Sequence, residues 1–126
     1  MKQIIKTDKA PLPIGPYNQA VKANGNLYIS GQICINPDTG NLNNGSLEDE
    51  THQVLKNMGA ILHAEGLDFE NVVKCTIFIK DMNQFGKINS IYAQYFNEAT
   101  APARETVEVS NLPKFVQVEI SAIAVY

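Results

Sequence analysis

Cysteine is scarce in this sequence, because only Cys34 and Cys75 occur among its 126 residues. Each lies among apolar residues, and neither belongs to a CxxC pair or to the spacing of a disulfide framework. Disulfide-stabilised and zinc-binding domains need paired or grouped cysteines, so both classes are disfavoured. We expect two reduced thiols in the core.

Long apolar runs and excess positive charge are also missing. No stretch reaches the roughly 18–20 apolar residues of a membrane-spanning helix, and the beginning, MKQIIKTDKAPLP, lacks the apolar run of a signal peptide. The net charge is −3, and the 10 Lys and Arg residues are scattered. We therefore expect one soluble, cytoplasmic domain over residues 1–126, with neither a membrane nor nucleic acid as its main partner.

Cofactor and metal motifs are absent as well. The sequence contains no GxGxxG, no P-loop and no GxSxG. His52 and His63 are eleven residues apart in a predicted helix, about 16 Å along its axis, and cannot bind one metal ion together. We place both on the solvent-exposed side of that helix, and we expect no metal and no cofactor.

Turn signals dominate the first third of the chain. The prolines of APLPIGPYNQA predict an extended lead-in. VKANGNLYISG predicts a hairpin in which Asn24 and Gly25 form the turn, one strand ends within 19–23, and the next starts near Asn26. NPDTGNLNNG, over 36–45, predicts a turn-rich connection.

Two segments carry the apolar spacing of helices. SLEDETHQVLKNMGAILHAEG predicts a helix in which Ser46 and Asp49 form a capping pair and Gly66 ends the last turn. Its apolar stripe is Val54, Leu55, Met58, Ile61 and Leu62. DMNQFGKINSIYAQYFNE predicts a second helix, whose buried side is Phe85, Ile88, Ile91, Tyr92, Tyr95 and Phe96.

Three further segments are rich in β-branched residues and predict strands over 72–80, 105–110 and 115–126. The element order predicts an α+β domain, a mixed sheet with both helices on one face. In the last strand, however, Ile123 and Val125 point to one face while Ala122 and Ala124 point to the other. Because no further element can cover the second face, we infer a homo-oligomer.

Two charged side chains lie in predicted strands. Arg104 lies at the start of a strand, and alternation puts it on the same side as Thr106. Glu119 lies in a strand that is otherwise Val, Ile and Ala, where desolvation would raise its pKa. The two residues could equally form an ion pair within the sheet or between subunits.

Two polar side chains are candidates beside them. Asn89 lies one helical turn from both Phe85 and Tyr92, at the margin of the apolar stripe. Tyr17 follows Gly15 and Pro16, where a rigid lead-in could direct a phenol into a pocket. A helix-surface amide and a partly buried ring are the alternatives.

The chain resembles the Rid (YjgF-like) family of reactive intermediate deaminases over essentially its whole length. The resemblance runs through APLPIGPYNQAV, YISGQI, NPDTG, VVKCTIFIKDM, PARETVEVSNLPK and VEISAIAV. It implies a chorismate-mutase-like fold, a homotrimer with clefts between subunits, and hydrolysis of 2-iminobutanoate or 2-iminopropanoate to a 2-oxo acid and ammonia without a cofactor.

The resemblance also implies roles for individual residues. Arg104 binds the substrate carboxylate and Glu119 orients or activates the attacking water. Tyr17 and Asn89 complete the pocket, together with the pair Ser30 and Gly31.

The sequence departs from the family pattern directly after the arginine. Many relatives have a small residue and then cysteine, whereas this chain has Glu105 and Thr106. We expect the Thr106 hydroxyl to line the cleft and Glu105 to point to the opposite face. Two other functions stay open: a non-catalytic sensor of small 2-oxo or 2-imino acids, and an endoribonuclease or translation inhibitor. The acidic balance counts against the second.

Overall fold

Six strands form one sheet in this computed structural model, which describes residues 1–126. The strands are β1 (Gln3–Ile5), β2 (Ala20–Ala23), β3 (Asn26–Gln32), β4 (Val72–Ile79), β5 (Ala103–Glu108) and β6 (Val118–Val125). Their order is β1-β2-β3-β6-β4-β5, with β4 and β5 parallel and all other neighbours antiparallel. The mixed sheet expected from the sequence is confirmed.

The predicted hairpin is present as β2 and β3. Asn24 and Gly25 occupy its turn with φ angles of 50° and 77°, the left-handed region that Asn and Gly tolerate best. β1 was not predicted. It has three residues, too few for an alternating pattern, and is ordered by its pairing with β2.

The first helix agrees with its prediction. Helix α1 (Leu47–Ala64) begins after Ser46, whose hydroxyl oxygen accepts a hydrogen bond from the Asp49 N–H at 3.0 Å. The chain leaves the helix at Gly66, which has a φ of 70°.

The second helix is shorter than predicted. Helix α2 (Phe85–Tyr92) follows a separate 3₁₀ turn capped by the Asp81 carboxylate. Beyond α2, Phe96 is still buried, because its ring stacks on Tyr92 at 4.5 Å and meets Phe69 edge-on at 5.2 Å. Aromatic packing explains why the apolar spacing continues where the helix does not. Neither α1 nor α2 combines the length and apolarity needed to cross a membrane.

The sheet has one covered face and one open face. Helix α1 packs on β3 and β6, and the strand residues beneath the helices, such as Ile77, Ile120 and Ala122, are buried. The opposite face, here called the open face, carries Tyr28, Phe78, Val107, Glu119 and Ile123. Tyr28 and Val107 are 44% and 43% exposed. The alternation predicted for β6 is confirmed, and no helix of the chain packs on its second side, which stays partly exposed.

Candidate active site

Arg104, the only arginine in the chain, is held by side chains of α2. In the register of β5 with β4, Arg104 lies beside the buried Cys75, so its side chain is on the helix-covered face of the sheet. Its Nη2 donates a hydrogen bond to Asn89 Oδ1, and its guanidinium lies 4.7 Å from the ring centre of Tyr92 and 5.5 Å from that of Phe85. An amide and two ring faces therefore position this charge, with no carboxylate in an ion pair with it.

A cavity of about 460 Å³ opens beside this guanidinium. It is lined by Asn89, Tyr92, Ala93, Phe96, Glu98, Ala101, Pro102 and Arg104. A guanidinium carries five N–H donors, and the single bond to Asn89 leaves most of them able to bind a ligand anion. We call Arg104, Asn89 and Tyr92 the arginine half-site.

Glu119 lies on the open face, opposite Phe78 of β4. Its carboxylate makes no hydrogen bond or ion pair within the chain, and burial raises its pKa above the ordinary range of a glutamate. With Tyr17 and Gly31 it lines a small cavity of about 60 Å³. We call Tyr17, Gly31 and Glu119 the glutamate half-site.

The glutamate half-site is held together by backbone and hydroxyl contacts. The Ser30 hydroxyl donates to the Asn18 carbonyl at 2.6 Å, and the Ser30 N–H donates to the Gln19 carbonyl at 3.0 Å. These bonds tie β3 to the segment that carries Tyr17. Ser30 therefore positions the half-site through its neighbours.

Gly31 allows the Glu119 side chain to lie against β3. A Cβ atom at position 31 would stand 2.7 Å from Glu119 Cδ and 2.9 Å from its Oε1, closer than non-bonded atoms approach. Any larger residue must displace the carboxyl group.

We therefore expect Gly31→Ala to move the Glu119 carboxyl group without unfolding the protein. Because displacements near 1 Å cost catalysis heavily, the turnover of a substrate that needs Glu119 should fall on the order of 10- to 100-fold. Gly86→Ala is the matched control, since a Cβ there would meet nothing within 4 Å. Equal losses in both variants would contradict a special role for Gly31.

The two half-sites lie on opposite faces of the sheet. Arg104 shares the face of Cys75, whereas Glu119 shares that of Phe78 and Val107. An Arg104–Glu119 ion pair within one chain, which the sequence left open, is therefore wrong. The only ion pair joins Lys74 to Glu105 at 3.2 Å.

Glu105 and Thr106, the two residues that depart from the family pattern, also lie on opposite faces of the sheet. Thr106 lies on the same face as Arg104, as predicted, but does not line the cavity beside it. Glu105 points to the opposite face, as predicted, where it accepts a hydrogen bond from the Thr76 hydroxyl at 3.1 Å.

Glu50 supports the glutamate half-site, and the sequence pattern did not indicate this role. It lies in the acidic first turn of α1, yet it is only 2% exposed, and its Oε2 accepts a hydrogen bond from the Gln117 N–H at 2.7 Å. Burial raises its pKa, an effect that contacts with the Gln117 and Val118 N–H groups and the Cys34 thiol partly offset. Glu50 thus anchors the two residues that precede Glu119.

We expect Glu50→Ala to lower the free energy of unfolding by about 1–3 kcal/mol, because it removes the carboxylate that accepts the part-buried hydrogen bond from the Gln117 N–H. Glu50→Gln retains one acceptor oxygen and should lose less. Because the pKa of Glu50 is higher in the folded state, its contribution to stability decreases as pH rises from the ordinary carboxyl range through that raised value. Denaturant titrations at several pH values measure both effects. An Ala variant as stable as the parent would refute the anchor.

The thiols and imidazoles occupy other surroundings. Cys34 and Cys75 are both free and buried, and burial raises the pKa of Cys34 to about 12. His52 was predicted to lie on the solvent-exposed side of α1. This prediction is wrong, because its Nδ1 lies 2.6 Å from the Tyr95 hydroxyl in a partly buried contact. No three His, Cys, Asp or Glu side chains converge to hold a metal ion.

Comparison with known proteins identifies the family. The model described as endoribonuclease L-PSP matches residues 7–126. The chain is 49% identical over 125 residues to the mouse protein named 2-iminobutanoate/2-iminopropanoate deaminase, covering 99% of this chain and 92% of that protein.

Two solved structures agree with this relationship. The conserved Rid family protein YyfA of Yersinia pestis superposes with a TM-score of 0.96 at 52% identity, covering 100% of both chains. Escherichia coli TdcF with bound serine superposes with a TM-score of 0.92 at 43% identity, covering 98% of each chain. The chain belongs to the Rid (YjgF-like) family.

Proposed function

We propose that this protein hydrolyses small 2-imino acids, 2-iminobutanoate and 2-iminopropanoate, to 2-oxo acids and ammonia. The observation that carries the proposal is a pair of groups without charged partners: a guanidinium open to a cavity, and a carboxylate of raised pKa that makes no hydrogen bond. The name of the mouse relative supports the reaction. The serine bound to TdcF supports a site for a small amino-acid-like carboxylate.

The site we propose is completed between copies of the chain. One chain carries its two half-sites on opposite faces, so they can converge only when a neighbour supplies the second. The open face offers an apolar surface, including Tyr28, Val107 and Ile123, that such a neighbour would cover. We propose a homotrimer in which the arginine half-site of one copy faces the glutamate half-site of the next.

In this mechanism Arg104 binds the substrate carboxylate with a bidentate pair of N–H donors. Asn89 and the ring faces of α2 fix the guanidinium before the substrate arrives. Tyr17 and Gly31 of the neighbouring copy close the cleft around the imine. The C=N carbon is thereby placed beside Glu119.

Glu119 then acts as a general base and afterwards as a general acid. It removes a proton from water as the oxygen forms a bond to C2 of the protonated imine, giving a carbinolamine. The protonated Glu119 then gives this proton to the amino group. As the C–N bond breaks and ammonia leaves, the ionised Glu119 takes the hydroxyl proton, the C=O bond of the 2-oxo acid forms, and the carboxyl group releases its proton to solvent. Because a protonated imine is already electrophilic, positioning with a general base worth about 10²–10⁴-fold is sufficient. We propose that this occurs in the cytoplasm and without a cofactor.

The direct test generates the imine in situ. A threonine dehydratase or an amino-acid oxidase supplies the imino acid, and its decay is followed with and without this protein. We expect loss of the imine to become faster in proportion to protein concentration. Decay at the buffer rate at every concentration would refute the proposed reaction.

The glutamate distinguishes this proposal from the other two functions. A sensor of 2-oxo or 2-imino acids needs Arg104 but gains nothing from a carboxylate placed to activate water. The endoribonuclease named in the family model's description would require attraction to a polyanion, whereas this chain has a net charge of −3 and a single arginine. Hydrolysis of a small organic acid fits both residues better.

A further inference from the structure

A cavity larger than those beside the two half-sites lies apart from both of them. Its volume is about 580 Å³, and small-molecule sites typically span roughly 300–1,000 Å³. It lies along the exposed side of α1, between the N-terminal segment and the rings of Phe69 and Tyr95. We call it the α1 cavity.

The α1 cavity has a charge opposite to that of the chain as a whole. Two of its ten lining residues, Lys9 and Lys56, carry positive charge, and none is Asp or Glu. Neither lysine forms an ion pair, because the only one in the chain joins Lys74 to Glu105. In a protein with a net charge of −3, this local surplus favours an anionic ligand.

Most of the rest of the lining is apolar, and it includes an aromatic wall formed by Phe69 and Tyr95. Phe69 and Tyr95 stack with ring centres 5.5 Å apart and planes 24° apart. The Tyr95 hydroxyl is fixed by His52 at 2.6 Å. Gly59 leaves room for this wall, since a Cβ there would lie 3.1 Å from the Phe69 ring. Such a wall suits a planar apolar group.

The opposite wall is rigid as well. Gln19, which is 2% exposed, accepts a hydrogen bond from the Thr7 N–H at 2.8 Å and donates to the carbonyls of Thr7, Ala10 and Pro11. These bonds fix the backbone on both sides of Lys9. A preformed wall reduces the ordering cost that a ligand would otherwise meet.

We propose that the α1 cavity is a second ligand site that binds a small aromatic carboxylate. The aromatic ring of the ligand lies against Phe69 and Tyr95, and its carboxylate lies near Lys9 and Lys56. The proposal does not depend on the imine reaction, because none of these residues belongs to either half-site.

Phenylacetate is the probe, titrated by NMR into the Arg104→Ala variant so that the arginine half-site does not bind it. We expect saturable binding with a Kd of about 1 mM or tighter, and shifted amide resonances in the exposed turns of α1. Phenylacetamide, which lacks the charge, and cyclohexylacetate, which lacks the flat ring, should both bind more weakly.

The double variant Lys9→Glu, Lys56→Glu should weaken phenylacetate binding at least about tenfold, because it reverses both charges at the cavity. Lys87→Glu, an exposed lysine on α2, is the matched control and should leave the Kd unchanged. When Arg104 is intact, the protein carrying Lys9→Glu and Lys56→Glu should keep full imine hydrolysis. No saturable binding, or equal binding in the double and control variants, would overturn the proposal.

Discussion

Replacing Arg104 by alanine is expected to lower kcat/KM for 2-iminobutanoate by about 10²- to 10³-fold, because two charge-assisted hydrogen bonds to the substrate carboxylate are lost. The fold should survive. Arg104 is half-buried and contacts Asn89 and two rings, but it closes no ion pair that would be left uncompensated. The measurement is the rate of imine loss, with the oligomeric state checked by light scattering.

Two variants separate the contribution of the bidentate guanidinium geometry from the contribution of its positive charge. Arg104→Lys keeps the charge but loses the bidentate geometry, so it should recover only a small part of the activity. Lys87→Ala removes an exposed cation from α2, the helix that contacts Arg104, and should leave the rate of imine hydrolysis unchanged. If Arg104→Ala hydrolyses imine at the parent rate, Arg104 has no part in binding the substrate.

Replacing Glu119 by glutamine is expected to lower kcat by about 10²–10⁴-fold while changing the affinity for the product acid little. The amide preserves the shape of the side chain but cannot accept a proton from water. In the proposed mechanism the substrate carboxylate binds at the arginine half-site, so pyruvate binding measured by calorimetry should be nearly intact. A variant that loses binding and turnover equally would make Glu119 a binding residue instead.

The pH dependence follows from the environment of Glu119. Burial raises the pKa of this carboxyl group, and the base is active only when ionised. The parent should therefore lose activity, as pH falls, above the ordinary glutamate value of about 4.3, and the glutamine variant should lack this transition. Folded-state ionisation is disfavoured, so Glu119→Gln should not be less stable than the parent at neutral pH. An unchanged pH profile would contradict the assignment.

Local signals explain which elements were predictable. The hairpin has an Asn-Gly turn, and α1 has a capping serine, an acidic first turn and a terminal glycine, so neighbouring residues alone specify both. β1 and the end of α2 depend on distant partners. β1 exists through its pairing with β2, and the aromatic residues after α2 are buried through Phe69.

The candidate site also has features that the sequence predicts and features that only the fold reveals. Arg104 and Glu119 stand out in the sequence as charges in strands, but their opposite faces follow from how β5 and β6 each pair with β4. Glu50 resembles an ordinary acidic residue of a helix start, and only the fold shows that it is buried against Gln117. The α1 cavity combines three distant segments, so no local pattern announces it.

The central proposal is that each site combines Arg104 of one copy with Glu119 of another. The most direct test co-refolds equal amounts of the Arg104→Ala and Glu119→Gln proteins, each inactive alone, and measures imine hydrolysis. Random assembly should give intact Arg104 facing intact Glu119 at about one quarter of the sites, and so about one quarter of the parent activity. No recovery in mixed oligomers verified by mass would contradict a site shared between copies.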